Sequence, residues 1–246
     1  MENRISNISF TARCPQIKEA QWACHMVDSK LPRQSFSKMR PLYSNLFDKN
    51  LDFLSKYMQK RGTAKEEKFL AHANKQQRRA VDTINAGNNL FKRVEGARRR
   101  YVLNSRDSLA LSTLNQLEKT KLGNCAETAR ATAAVLKMNG RENVYTAQLA
   151  NVCFPVDHEV CIFNRDGSKI NGLVNLKKAI VVDPWAGVVD FADKALLTYK
   201  NACRRLLAIP EDAKLNLISP TKIEFKPNEL EKAKTQFSYL LKEGSK

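Results

Sequence analysis

The periodicity of the chain changes at Asn139-Gly140, and this change limits the fold more than any other feature. Before it, apolar residues recur at helical spacing. After it come short apolar runs bounded by turn signals: Asn143–Ala150, then Glu159–Phe163, then Ala179–Asp183. Asp166-Gly167 and Asn171-Gly172 mark turns between the second and third runs, and Pro184 stops the third. Further helical pattern follows over Asp193–Ile209, a short strand is expected at Lys222–Phe225, and a last helix opens at Pro227-Asn228. Helices, a small antiparallel sheet, then helices again predict an α+β architecture.

Three regions divide the chain. Residues 1–45 read as an irregular leader broken by Pro15, Pro32 and Pro41, with a short helix around Gln16–Val27. Residues 46–105 read as a helical N-terminal subdomain. Gly62 ends its first helix, and Thr63 with Glu66 forms a capping-box pattern for the next. A seven-residue row, Ala73, Ala80, Gly87, Val94 and Tyr101, then predicts a long helix with a break near Gly87-Asn88-Asn89. Its far face carries Arg78, Arg79, Lys92, Arg93, Arg98, Arg99 and Arg100, which reads either as a solvated face or as a docking surface for an acidic partner.

Residues 106–246 hold the chemistry. A helix capped by Asp107 or Ser108 runs through Leu117, and Gly123 is expected to stop it. Asn124 then stands as an N-cap with Glu127 at the capping-box position, and Ala126, Ala129, Ala133 and Leu136 give the following helix a face of mostly small residues that a sheet can approach closely. Cys125 follows the N-cap directly. Unpaired N–H groups and the positive end of the helix dipole lie there, and a thiol attacks as its thiolate. A nucleophile of this kind needs a base that stores its proton, and the base needs an orienting group.

Of three histidines, His158 stands at the start of a buried strand, whereas His25 and His72 lie in polar helical settings. Asp183 ends the next strong strand. If the two strands are antiparallel neighbours, the start of one lies beside the end of the other, which brings His158 to Asp183. Asp190 competes as orienter but suits the cap of the helix that follows. Cys153 is the spare nucleophile, without a helix N-terminus; both Cys153 and Cys161 read as core. Trp185 reads either as a packing residue or as a lining of the cleft.

The fragments Gly123-Asn124-Cys125-Ala126-Glu127, Asp157-His158-Glu159-Val160 and Val182-Asp183-Pro184-Trp185-Ala186-Gly187, in that order, resemble the papain-like and transglutaminase-like thiol enzymes. Asp-Pro-Trp after a strand is especially similar to the bacterial secreted-effector branch, which includes cysteine proteases, protein-glutamine deamidases and transglutaminases delivered into host cells. The resemblance covers residues 108–192. It implies a papain-like core, a Cys125-His158-Asp183 triad, a thioester intermediate and a protein substrate bearing the carboxamide that is attacked. It also implies export by a non-Sec injection system into the host cytoplasm, with a cytoplasmic location otherwise. Papain-type enzymes place an oxyanion-hole Gln six residues before the nucleophile, and Lys119 stands there instead. Gln116, Asn115 and Asn124 are the replacement candidates, beside the backbone N–H of Cys125. The segment Arg165–Lys178 is expected as a loop or hairpin at or near the cleft.

Composition narrows the partners. A net charge of +17, from 42 basic and 25 acidic residues, favours an acidic docking surface on the protein substrate over other ligands. The alternative is a non-catalytic basic binding protein for an acidic protein, nucleic acid or an anionic membrane. The six cysteines are scattered and unlike zinc ligands, so no metal, no cofactor and a reducing compartment are expected. No apolar run reaches the ~20 residues of a membrane span. A monomer is expected.

Overall fold

The computed structural model describes residues 14–31, 50–150, 155–202 and 214–242. Among these residues lie eight α-helices and one five-stranded antiparallel sheet. The helices before the sheet are α1 (Pro15–Lys30), α2 (Leu51–Lys60), α3 (Glu66–Ala71), α4 (Lys75–Arg98), α5 (Leu109–Thr120) and α6 (Cys125–Met138). The strands are β1 (Tyr145–Ala150), β2 (Pro155–Asn164), β3 (Ala179–Asp183), β4 (Val188–Phe191) and β5 (Asn216–Lys222). Helix α7 (Ala192–Ala202) precedes β5; α8 (Glu229–Gln236) and a 3₁₀ turn (Ser238–Leu240) follow it.

The sheet order is β4-β3-β2-β1-β5, and Cys161 of β2 stands opposite Val182 of β3. Side chains alternate between faces with period two. Cys161, Phe163, Ile180 and Val182 therefore enter one core with α1, α5, α6 and the C-terminal residues Ala233, Phe237 and Leu240. Val160, Ile162, Ala179 and Val181 enter a second core under α7, with Ala195, Leu196 and Tyr199. Ala129, Ala131, Ala133 and Ala134 of α6 are all buried in the first core, so small side chains let this helix lie close to the strands.

The α2–α4 region has its own cluster of Leu54, Tyr57, Ala80 and Val81. It meets the rest through the second half of α4, where Leu90, Val94 and Ala97 bury Leu122.

Several expectations are corrected. The leader contains α1, whose Ile17, Ala20, Ala23 and Val27 are fully buried in the first core. Pro15 starts that helix where its missing N–H costs nothing. The long helix breaks at His72-Ala73-Asn74 rather than at Gly87-Asn88-Asn89. Asn74 caps α4 and exchanges reciprocal bonds with Gln77, both 2.9 Å, and a capping box starts a helix more strongly than one interior Gly ends it. Gly87 is buried within α4. Helix α5 ends on Lys121 in the left-handed region (φ 55°), not on Gly123. Asp190 lies within β4, not at a helix cap, and its Oδ1 accepts from the N–H of Phe191 at 2.8 Å. The last strand ends at Lys222 instead of beginning there. Cys153 and residues 203–209 of the expected helix lie outside the described residues.

Candidate active site

The start of α6 is held from four sides. Leu122 anchors the approach in its pocket on α4. The Gln116 side chain, fully buried, donates to the Leu122 carbonyl at 3.0 Å, and the Leu122 N–H donates to Thr120 Oγ1 at 3.2 Å. Gly123 passes so close to the helices that an added Cβ would stand 2.6 Å from Leu117 Cδ2 and 3.1 Å from Glu127 Cβ. The carboxylate of Glu127, 0% exposed, accepts from the Asn124 N–H at 2.9 Å through Oε2 and from Arg98 Nε at 2.7 Å through Oε1. Cys125, half-buried, is thereby fixed as the first residue of the helix.

Sheet geometry supplies the partners. Continuing the Cys161–Val182 register by three residues sets His158 beside Trp185, just past the end of β3. His158 shares its face with Val160 and Ile162, and Asp183 shares the same face with Ala179 and Val181. The two side chains meet: His158 Nε2 lies 2.7 Å from Asp183 Oδ2, both residues being almost fully buried. Asp183 is fully hydrogen-bonded. Its Oδ2 also accepts from the Tyr199 hydroxyl at 2.7 Å, and its Oδ1 accepts from the N–H groups of Trp185 (3.0 Å) and Ala186 (3.2 Å). Trp185 packs on the imidazole at 4.6 Å between ring centres, and Tyr199 meets it edge-on at 5.7 Å.

The Cys125 thiol interacts with the same imidazole. The buried Nδ1 of His158 has no hydrogen-bond partner among the described residues. His158 therefore carries a carboxylate on Nε2 and has Cys125 in its electrostatic neighbourhood.

The electrostatics follow from this placement. Burial acts most strongly on His158 and lowers its pKa, but the charge and hydrogen bond of Asp183, then the contact with Cys125, push it up to about 10. Burial likewise raises the Asp183 carboxyl, yet the His158 charge, with the bonds from His158, Tyr199 and Ala186, holds it below the usual carboxylate range. The resting pair at neutral pH is an imidazolium and a carboxylate. Burial pushes the Cys161 thiol well up, which agrees with its role as core.

Of the oxyanion candidates, Gln116 is committed to the Leu122 carbonyl. Asn115 faces away, accepting from Gln236 at 2.7 Å and donating to Asp107 at 3.5 Å. Asn124 remains beside the thiol, and its buried Oδ1 makes no hydrogen bond. Trp185 is partly exposed against His158, so it both packs and borders the site.

Arg165–Lys178 forms a loop without regular structure that sends Ile170 and Val174 into the second core. It joins Asn164 of β2 to Ala179 of β3, the strand ends opposite His158 and Asp183. Six residues of strand, ~20 Å, separate His158 from Asn164, which removes this loop from the cleft.

Two site residues escape a reading of the sequence alone. Tyr199 carries no motif; the only signal is a tyrosine three residues after Leu196 on the apolar row of a helix. Arg98 sits in a run of arginines and looks solvated, yet it turns inward to Glu127. Burial opposes its charge most, and the bond and charge of Glu127, then Glu95 and Cys125, raise its pKa on balance.

Among the described residues no group of three His, Cys, Asp or Glu side chains is arranged to hold a metal ion, and no helix is long and apolar enough to cross a membrane. The chain matches no known protein-family model, no curated protein and no solved structure at a significant level.

Proposed function

We propose that the chain is a thiol-dependent amidohydrolase with a papain-like core, acting on a glutamine side chain of a protein substrate. What supports this reading is the His158 imidazole bonded to the Asp183 carboxylate at 2.7 Å, with Cys125, the first residue of α6, acting on the same ring.

On this reading the Cys125 thiolate attacks the carboxamide carbon. The carbonyl oxygen becomes an oxyanion, which the Cys125 N–H and the Asn124 side chain are positioned in sequence to receive. Collapse breaks the C–N bond, and the His158 imidazolium gives its proton to the departing nitrogen, so ammonia leaves and a thioester remains. Neutral His158 then takes a proton from water, the hydroxide adds to the thioester, and collapse returns the thiolate and a glutamate side chain. Asp183 keeps the imidazole oriented and stabilises its charge throughout; Tyr199 holds Asp183. The setting implied by the resemblance is that of an effector delivered into a host cell.

The test is a panel of glutamine-bearing peptides and acidic proteins, followed by ammonia release and intact mass. Deamidation adds about 1 Da without cleavage, and both signals vanish in Cys125→Ala. Cleaved peptides would assign a protease instead, and cross-linked lysine adducts a transglutaminase. No Cys125-dependent product across the panel would overturn the reading.

A further inference from the structure

We propose that four cations on the segments leading into the thiol-bearing helix read acidic residues flanking the target glutamine. This rests on the thiol-enzyme reading above and adds the substrate class to it. The π-helical turn Arg99–Leu103 continues α4 past Arg98 and packs on α5. Arg99 and Arg100 of that turn are exposed, and so are Lys119 at the end of α5 and Lys121 in the turn that follows. None of the four has a carboxylate partner among the described residues, whereas the neighbouring Arg98 is paired with both Glu95 and Glu127.

Two of them converge on one side chain. Arg100 lies over the Tyr101 ring at 5.4 Å from the carbon of its guanidinium, and Lys119 lies over the same ring at 5.8 Å from Nζ. Lys121 stands four residues before Cys125 on the segment that Leu122 pins against α4. Arg98, next to Arg99 in the chain, bonds Glu127 in the first turn of the helix that Cys125 starts. The four cations thus sit on the π-turn, the end of α5 and the α5–α6 turn, a rim tied to the helix start through Arg98 and Leu122.

Unpaired, exposed cations of one sign favour a ligand of the opposite sign. The proposed substrate is a polypeptide, so the ligand is a run of Asp or Glu side chains within a few residues of the glutamine. The inference also gives Lys119 a role at the position where a papain-type Gln would stand.

The experiment uses the intact chain and two small probes. Iodoacetate and iodoacetamide modify a thiol by the same displacement of iodide, but the first is anionic. The ratio of their rates at Cys125 reports local potential and needs no substrate. In the triple variant Arg100→Gln, Lys119→Gln, Lys121→Asn the ratio falls by about fivefold at low salt and by less at 0.5 M salt. Asn at 121 is chosen because it tolerates the positive φ. A control triple, Lys56→Gln, Lys65→Gln, Lys68→Gln, removes the same charge at the far end of α4; Val81, which packs there, and Arg99 are 18 residues or ~27 Å apart along the helix. Its ratio stays at the wild-type value.

Equal ratios for wild type and rim variant overturn the rim, even where Cys125 itself is reactive. A Cys125 that reacts no faster than the other thiols sinks the enzyme reading instead, so the two failures are separate. On glutamine peptides, kcat/KM falls at least severalfold when flanking Glu residues are replaced by Ala, and the rim variant loses that preference. Cosedimentation with phosphatidylserine vesicles that depends on the rim, with no peptide preference, overturns the proposal in favour of a membrane.

Discussion

Replacing Glu127 by Ala tests the link between the helical region and the thiol. The side chain joins three things: the Asn124 N–H at 2.9 Å, Arg98 Nε at 2.7 Å, and through Arg98 the whole of α4. Breaking a buried ion pair by removing one partner costs about 3–5 kcal/mol when the remaining charge is stranded. Arg98 is not fully stranded, because it keeps Glu95 at 2.6 Å and its side chain is 24% exposed, so part of its charge relaxes into water. That lowers the pair's share to about 1–2 kcal/mol, to which the lost N-terminal bond adds about 1 kcal/mol. The sum is about 2–3 kcal/mol. For a chain of this size each kcal/mol shifts Tm by about 2–4 °C, so thermal unfolding shows a fall of roughly 4–12 °C. Glu127→Gln keeps an acceptor for Asn124 and recovers about 1 kcal/mol of the loss. In a double-mutant cycle with Arg98→Met, the two costs do not add, because each single change already breaks the pair. Iodoacetamide labelling of Cys125 slows in Glu127→Ala even below the unfolding transition, since the helix start is no longer clamped. Additive costs in the cycle, or a Glu127→Ala protein within 0.5 kcal/mol of wild type, would refute the clamp.

Other predictions concern neighbouring contacts. Gly123→Ala forces a methyl against Leu117, which is fully buried and has no free space to move into; chemical denaturation shows a loss of about 1–3 kcal/mol. Tyr199→Phe removes one of four bonds to the Asp183 carboxylate and costs about 1–2 kcal/mol, with slower Cys125 alkylation; unchanged alkylation would deny Tyr199 a positioning role. Stability should also track pH through the imidazolium–carboxylate pair. His158, raised to about 10, contributes fully below its unfolded value near 6.5, and that contribution is lost as pH rises through about 10. Asp183, lowered, contributes above its unfolded value near 3.9 and loses that contribution as pH falls. Denaturation midpoints therefore peak between these unfolded values, near pH 4 to 6.5, and the decline above pH 7 flattens in His158→Gln.

Local signals were legible where one residue type dictates the backbone. The Asn124-Cys125-Ala126-Glu127 start of α6 and the Ala179–Asp183 strand follow from capping chemistry and apolar runs, and both appear at the residues expected. The meeting of His158 and Asp183 needed only the assumption that β2 and β3 are antiparallel neighbours, which they are. Features set by tertiary contact were not legible. Arg98 looks like its arginine neighbours until α4 is packed on α6. Gly123 looks like a helix stop, but close passage against Leu117 and Glu127 is what its missing side chain serves. Gln116 looks like an oxyanion donor, yet burial commits it to the Leu122 carbonyl. The Val188–Phe191 strand was missed because four residues are too few to show a period, and pairing with β3 alone makes it a strand.

The central claim is that Cys125 is activated by His158, and thiol-resolved alkylation kinetics test it most directly. Intact protein is treated with limiting iodoacetamide near pH 7, and each cysteine-bearing peptide is quantified by mass spectrometry over time. Cys125 is labelled first, ahead of half-buried Cys14 and Cys24 and far ahead of buried Cys161. His158→Ala slows Cys125 by at least about tenfold, the factor that ~1.4 kcal/mol of lost stabilisation gives, while the rates at Cys14 and Cys24 stay the same. Labelling of Cys125 at the pace of the other half-buried thiols, unchanged by His158→Ala, would contradict it.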